Sequence, residues 1–191
     1  ILDLAAGHRG VLNIGVTYSF GSILTESVLA FKKEFPDVTL NICYKNVMEL
    51  MELVSDGNLD FALSFRSSEK YDNVESHILF DNKLRIIVRE DHPLTKKEFV
   101  RLSDLEEYDL VLPSIGLQAR STFDNIIAER NLNLKVAIEA NEVNTILNLL
   151  SRSNYVTVLS ETVILEHKGL VPIDISDAEC SMEGCLHFCT N

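Results

Sequence analysis

The chain has 191 residues, 46% of them apolar and 24% charged, with 29 acidic side chains against 17 basic ones. Length and composition are those of a globular protein able to bury a sizeable core. A net charge of −12 repels phosphate backbones and anionic lipid, so the chain by itself is expected to bind neither nucleic acid nor membrane.

No apolar run exceeds four residues (Val28 to Phe31), which excludes a transmembrane helix. No charged-then-apolar leader is visible, and a chain opening on Ile1 reads as a fragment or a processed product. Cys43 stands apart, while Cys180, Cys185 and Cys189 crowd the end. Their C-x4-C-x3-C spacing matches no zinc pattern, and they read as reduced thiols packed as small hydrophobes in a cytoplasmic protein. Period-two spacing does put Cys185, His187 and Cys189 on one strand face, but no metal and no cofactor is expected.

In chain order, Val11 to Val16 reads as a buried strand, followed by the polar turn Thr17 to Ser22. A helix then carries Leu24, Val28, Phe31 and Phe35 on one face and stops at Pro36-Asp37. Val38, Leu40, Ile42 and Tyr44 alternate as a second strand, and Val47 to Val54 forms a short helix. Leu59 to Phe65, largely apolar, is a central strand. Ile78 to Phe80 and Leu84 to Val88 read as two strands joined by a turn at Asp81-Asn-Lys83. Ser103 is expected to cap a short helix, with Glu106 completing a capping box. Leu110 to Leu112 is a strand, and Ser114 to Arg120 a polar loop feeding a helix from Thr122 to Arg130. Then come a strand (Leu134 to Ala140), a helix over Val143 to Leu150, a strand (Tyr155 to Leu159), a helix (Ser160 to Lys168), and strands at Leu170 to Ile175 and Cys185 to Cys189. Strand–helix–strand alternation throughout means an α/β fold with mostly parallel sheet. The pattern alone allows one doubly wound sheet or two smaller ones.

Enzyme signatures are missing: there is no G-x-S-x-G, P-loop, G-x-G-x-x-G, H-E-x-x-H or C-x-x-C. The five histidines are scattered at no ligand-like spacing and are expected at the surface, and Glu49, Glu52 and Asp56 read as a wet helical face. Two loops do look like ligand grips, Thr17 to Ser22 and Ser114 to Thr122, since each follows a strand end and opens a helix. Ligands of open α/β sheets sit beyond strand carboxyl ends, and a helix start presents unpaired N–H groups to an anion. Capping accounts for either loop singly. Two of them, with Arg66 just past the strand ending at Phe65, point to a cleft for a small anion.

The order of these pieces resembles the regulatory domain of LysR-type transcriptional regulators. Gly10-Val-Leu-Asn-Ile-Gly15 is similar to that family's G-x-L-x-I-G strand, and Phe31-Lys-Lys-Glu-Phe-Pro-Asp-Val38 to its F-x-x-x-(Y/F)-P-x-V signature. Leu53 to Ala62 resembles L-x-x-G-x-L-D-x-(A/G), and Leu84-Arg-Ile-Ile-Val-Arg-Glu-Asp-His-Pro-Leu94 follows. The four motifs stand in the right order over nearly the whole chain.

The resemblance implies two Rossmann-like subdomains joined by two crossover strands, as in periplasmic binding proteins. Residues 11–87 and 162–191 would form subdomain I and residues 88–161 subdomain II, with crossings near Val88 and Leu159. Residues 1–10 would end the linker from an N-terminal helix-turn-helix domain, through which alone DNA would be bound. A small effector, expected to be an organic anion, would sit between the subdomains. Carried over by position, its contacts are Thr17, Ser19 and Phe20, then Asn46 and Val47, Ser64 and Arg66, and Gly116, Leu117 and Gln118. Val47 departs from the small polar residue of many relatives, and Ser153-Asn154 replaces a glycine-rich approach to the second crossing. The resemblance further implies a homodimer or tetramer and no enzymatic activity. A solute-binding protein of a transport system shares the fold and is the alternative.

Overall fold

The structure, a computed structural model, describes residues 10–128, 130–165 and 167–190. The expected linker, residues 1–10, and His8 with it, lies outside them apart from Gly10. Two compact units emerge. The first runs to Asp81 and takes up the chain again from Glu183, and the second is Asn82–Met182.

In the first unit, β1 (Gly10–Val16), β2 (Val38–Tyr44) and β3 (Phe61–Phe65) are parallel, with β1 in the middle. β3 pairs on its other side with β9 (Ser181–Cys189), which is antiparallel. Helix α1 (Gly21–Glu34) joins β1 to β2 after one 3-10 turn at Tyr18–Phe20. Lys32 Nζ, in its last turn, donates to the carbonyls of Pro36 and Val38, each at 2.6 Å, and ties the helix end to the start of β2. Of the four residues of its apolar face only Leu24 is fully buried; Val28, Phe31 and Phe35 are half-buried.

Helix α2 (Val47–Ser55) covers the opposite sheet face. Val47, Leu50, Met51 and Val54 pack with Leu59 and Ala62, at the spacing that puts residues three and four apart on one helix face. Gly15 makes this close approach feasible. A Cβ at that position would stand 2.4 Å from the Leu50 side chain and 2.5 Å from that of Leu59.

In the second unit β5 (Asp109–Pro113) and β6 (Lys135–Ala140) are parallel, flanked by α3 (Gln118–Ala128) and α4 (Val143–Leu150). β7 (Thr157–Ser160) and β8 (Leu170–Ile173) both pair antiparallel with β4 (Val74–Arg89). Strands β4 and β9 each start in one unit and end in the other.

Several sequence expectations need correction. Asp81-Asn-Lys83 is not a turn: β4 runs unbroken for 16 residues, because the chain crosses there from one unit to the next. Both crossings occur in continuous strands, at Asp81/Asn82 and Met182/Glu183, where the sequence reading put them near Val88 and Leu159. Residues 162–182, counted there with the first subdomain, belong to the second unit, since β8 is zipped onto β4. The sheets are mixed where mostly parallel pairing was expected, since β9, β7 and β8 all run antiparallel to their neighbours.

Ser103 caps nothing. The 3-10 helix Leu102–Glu107 starts one residue earlier, and Asp104 accepts the Arg101 N–H at 2.7 Å, while Glu106 accepts from Asn133 N–H. Helix α3 begins at Gln118 rather than Thr122, and the expected helix from Ser160 is a single 3-10 turn, Glu161–Ile164. Two histidines expected at the surface, His92 and His187, are fully buried. His92 is a loop anchor: Nδ1 accepts Leu94 N–H and Nε2 meets the Asn154 carbonyl, both at 3.2 Å. Among the described residues no helix is long and apolar enough to cross a membrane.

Candidate functional site

Parallel pairing aligns the carboxyl ends of three strands in the first unit, since Val16 is in register with both Tyr44 and Leu63. Thr17 N–H donates to the Leu63 carbonyl at 2.9 Å and Lys45 N–H to that of Val16 at 3.2 Å. The expected contacts Thr17, Ser19 and Phe20, Asn46 and Val47, and Ser64 and Arg66 therefore gather along one edge of one sheet. This is the edge at which open α/β sheets take ligands.

Their side chains divide sharply. Thr17 and Ser19 lie at the edge, each 8% exposed, and the Thr17 carbonyl accepts Phe20 N–H at 3.0 Å. Phe20 is core. Its ring meets Phe65 edge-on at 4.7 Å and Phe80 at 5.3 Å. Phe80 in turn lies against Gly184, where a Cβ would come within 2.5 Å of the ring. Val47 belongs to the α2 core. Asn46 caps α2: its Oδ1 accepts Glu49 N–H at 2.9 Å, and Glu49 Oε2 accepts Asn46 N–H at 3.2 Å.

Ser64 is fully buried, and its hydroxyl donates to the Phe65 carbonyl at 2.9 Å. That leaves its oxygen to accept from His187 Nε2 at 3.0 Å, so Nδ1 accepts the Ser76 hydroxyl at 2.7 Å. Burial lowers the His187 pKa and keeps the ring neutral. The spacing is that of a serine nucleophile and its base, but no substrate reaches a fully buried hydroxyl already donating to a carbonyl. The chain Ser64–His187–Ser76 pins β3 to β9 and β4.

Arg66 is exposed and already partnered. Its N–H donates to the Glu183 carbonyl at 2.9 Å, and Nη1 lies 2.6 Å from Glu183 Oε2. The carboxylate holds the guanidinium above even its ordinary high pKa. Sequence reading missed Glu183, Ser76 and the structural part of His187. The one available signal was period-two spacing along the last strand, which does place Cys185 opposite Ser64 and His187 opposite Ala62.

Gly116, Leu117 and Gln118 lie in the second unit between β5 and α3, with Gly116 exposed and the other two half-buried. Leu117 N–H closes this loop onto the Ser114 carbonyl at 3.2 Å. Beneath it Arg120 binds Asp124, Glu139 and the Pro113 carbonyl, tying α3 to β5 and β6. Among the described residues no three His, Cys, Asp or Glu side chains are placed to hold a metal. The Cys180 and Cys185 thiols are buried, and burial raises their pKa, which keeps them protonated.

A family model described as the LysR substrate binding domain matches residues 5–188. The chain belongs to this family. Among curated LysR-type relatives, the dual regulator GltC of Bacillus subtilis is 30% identical over 160 residues, covering 83% of this chain and 53% of GltC. YybE of the same organism, an uncharacterized HTH-type transcriptional regulator, is 24% identical over 182 residues, 94% of this chain and 62% of YybE. This LysR domain thus spans less than two thirds of these relatives' length. They are regulators, not transport proteins.

Solved LysR-type domains share the fold. The CcmR regulatory domain of Synechocystis PCC6803, in complex with 2-PG, superposes with a TM-score of 0.86 at 17% identity, over 96% of this chain and 89% of that one. The QuiR effector-binding domain in complex with shikimate gives 0.80 at 21% identity, over 96% and 88%. The periplasmic-binding-protein-like architecture expected from the motifs is the observed one.

Proposed function

We propose that this LysR domain is the effector sensor of a cytoplasmic, DNA-binding transcriptional regulator, and that it is not an enzyme. The effector is a small organic anion, with DNA contacted through a helix-turn-helix domain N-terminal to this segment. The observation that carries this reading is the alignment of three strand ends, which brings Thr17, Ser19 and Arg66 to one sheet edge. Domains of the same fold hold 2-PG in CcmR and shikimate in QuiR, which supports a small-molecule ligand. The family resemblance adds Gly116, Leu117 and Gln118, in the loop after β5 and at the start of α3, as effector contacts.

An acidic chain tolerates an anion there because charge acts locally. Carboxylates farther than about 8 Å are largely screened at physiological salt. Phe20, Val47, Asn46 and Ser64 serve the site through backbone position, since their side chains are committed to core, cap and strand pinning. The test is calorimetry on the chain against a library of small carboxylates and phosphate esters. A binder is expected whose affinity falls about tenfold or more in R66A and less in S19A. A library binder indifferent to Arg66, Ser19 and Gln118 substitutions would rule out the site.

A further inference from the structure

The neighbour of Arg66 decides how an anion is received. Register across the β3–β9 ladder puts Phe65 opposite Gly184, and hence Arg66 opposite Glu183. The two residues, 117 apart in sequence, share a backbone hydrogen bond and the 2.6 Å ion pair. Glu183 is also the residue at which β9 enters the first unit. An anion arriving at Arg66 therefore meets a carboxylate already on Nη1. It must take that nitrogen from Glu183 or bind beside a like charge, and either way Glu183 opposes it.

We propose that Glu183 is an affinity-determining residue of the effector site, acting as the resident competitor for the Arg66 guanidinium. This rests on the reading of Arg66 as an effector ligand given above. Glu183 acts through Arg66 and weakens every anion by a modest factor, so that ligands of higher charge density are favoured over weak monoanions. Breaking the pair also frees the side chain of Glu183, the first residue of β9 to lie in the first unit. With 59% of the Arg66 side chain and 34% of that of Glu183 exposed, the pair is solvent-screened and gives way readily.

Inorganic sulfate is the probe, titrated into the isotopically labelled chain at constant ionic strength with chloride as the balancing anion. Binding is read from the backbone amide resonances of Arg66 and Thr17. In E183Q, which keeps the shape and loses the charge, sulfate is expected to bind about two- to fivefold more tightly, the range of an exposed ion pair. R66Q is expected to lose the response at Arg66. E183K, which reverses the charge, should tighten sulfate further than E183Q. Equal or weaker binding in E183Q, with R66Q still impaired, overturns the competitor role and leaves the anion site standing. Binding that neither Arg66 nor Glu183 substitution alters overturns the anion site at Arg66 itself, and the competitor with it.

Discussion

Ser64 Oγ lies 3.0 Å from His187 Nε2, and neither side chain is exposed. Position 64 carries a hydroxyl where a ligand contact was expected, yet that hydroxyl faces the protein interior. It fastens the end of β3 to β9, and through Nδ1 and Ser76 to β4. The edge on which Arg66 sits is thus anchored to both strands that cross between the units.

This buried neutral ring makes stability depend on pH. His187 and His92 both have lowered pKa values, chiefly through burial. Below an unfolded-state pKa of about 6.5 the unfolded chain takes up protons that the folded chain refuses. Both contributions are fully present above that pH and are lost as it falls. The melting temperature should therefore drop between neutral and mildly acid pH, and H187N should flatten part of that slope. A slope unchanged in both H187N and H92N would show that the rings are not the groups responsible.

Phe20 is expected to behave as core. Phe20→Ala removes a ring packed on Phe65 and Phe80 and should cost about 3–5 kcal/mol of unfolding free energy. Ser19→Ala, next to it, should lower effector affinity and cost far less stability than Phe20→Ala. Denaturant unfolding with calorimetry separates the two, and a Phe20→Ala variant of wild-type stability would place the ring outside the core.

Gly184 is expected to tolerate no side chain while Phe80 is present. A Cβ there overlaps the ring, so Gly184→Ala should destabilise by about 1–3 kcal/mol. Phe80→Leu, itself destabilising, should reduce that penalty when combined with it, and a double-mutant cycle on unfolding free energies measures the coupling. Strict additivity would mean that the Gly184→Ala penalty does not come from the Phe80 ring.

The first unit presents exposed apolar side chains on α1, β1 and β2: Leu29, Val11, Ile42 and Tyr44 are 38–55% exposed. The family resemblance implies that α1 and β2 meet the second subdomain of another copy, so the chain is expected to sediment as a dimer at tens of micromolar. Leu29→Asp with Ile42→Lys should return it to monomer without unfolding it. A purely monomeric wild-type chain would refute the pairing.

Much of this protein was readable one segment at a time. The alternation through β2, the three-and-four spacing of α2 and the glycine of β1 are local patterns, because a strand repeats every two residues and a helix every 3.6. The family motifs sit in those same segments, so fold and family followed from them. Local pattern also drew the expected contacts of the first unit to one sheet edge, since they lie at or just past the carboxyl ends of β1, β2 and β3. It did not tell which of those side chains turn outward. Phe20, Val47 and Ser64 look like ligand contacts by position and are drawn into the core by neighbours from β3, β4 and β9. Nor did it show Glu183 on Arg66, or His187 buried between two serines, because each contact joins residues more than 100 positions apart. Such pairs are set by the register of strands that meet only when the end of the chain returns to the first unit, and no periodicity within either segment encodes it.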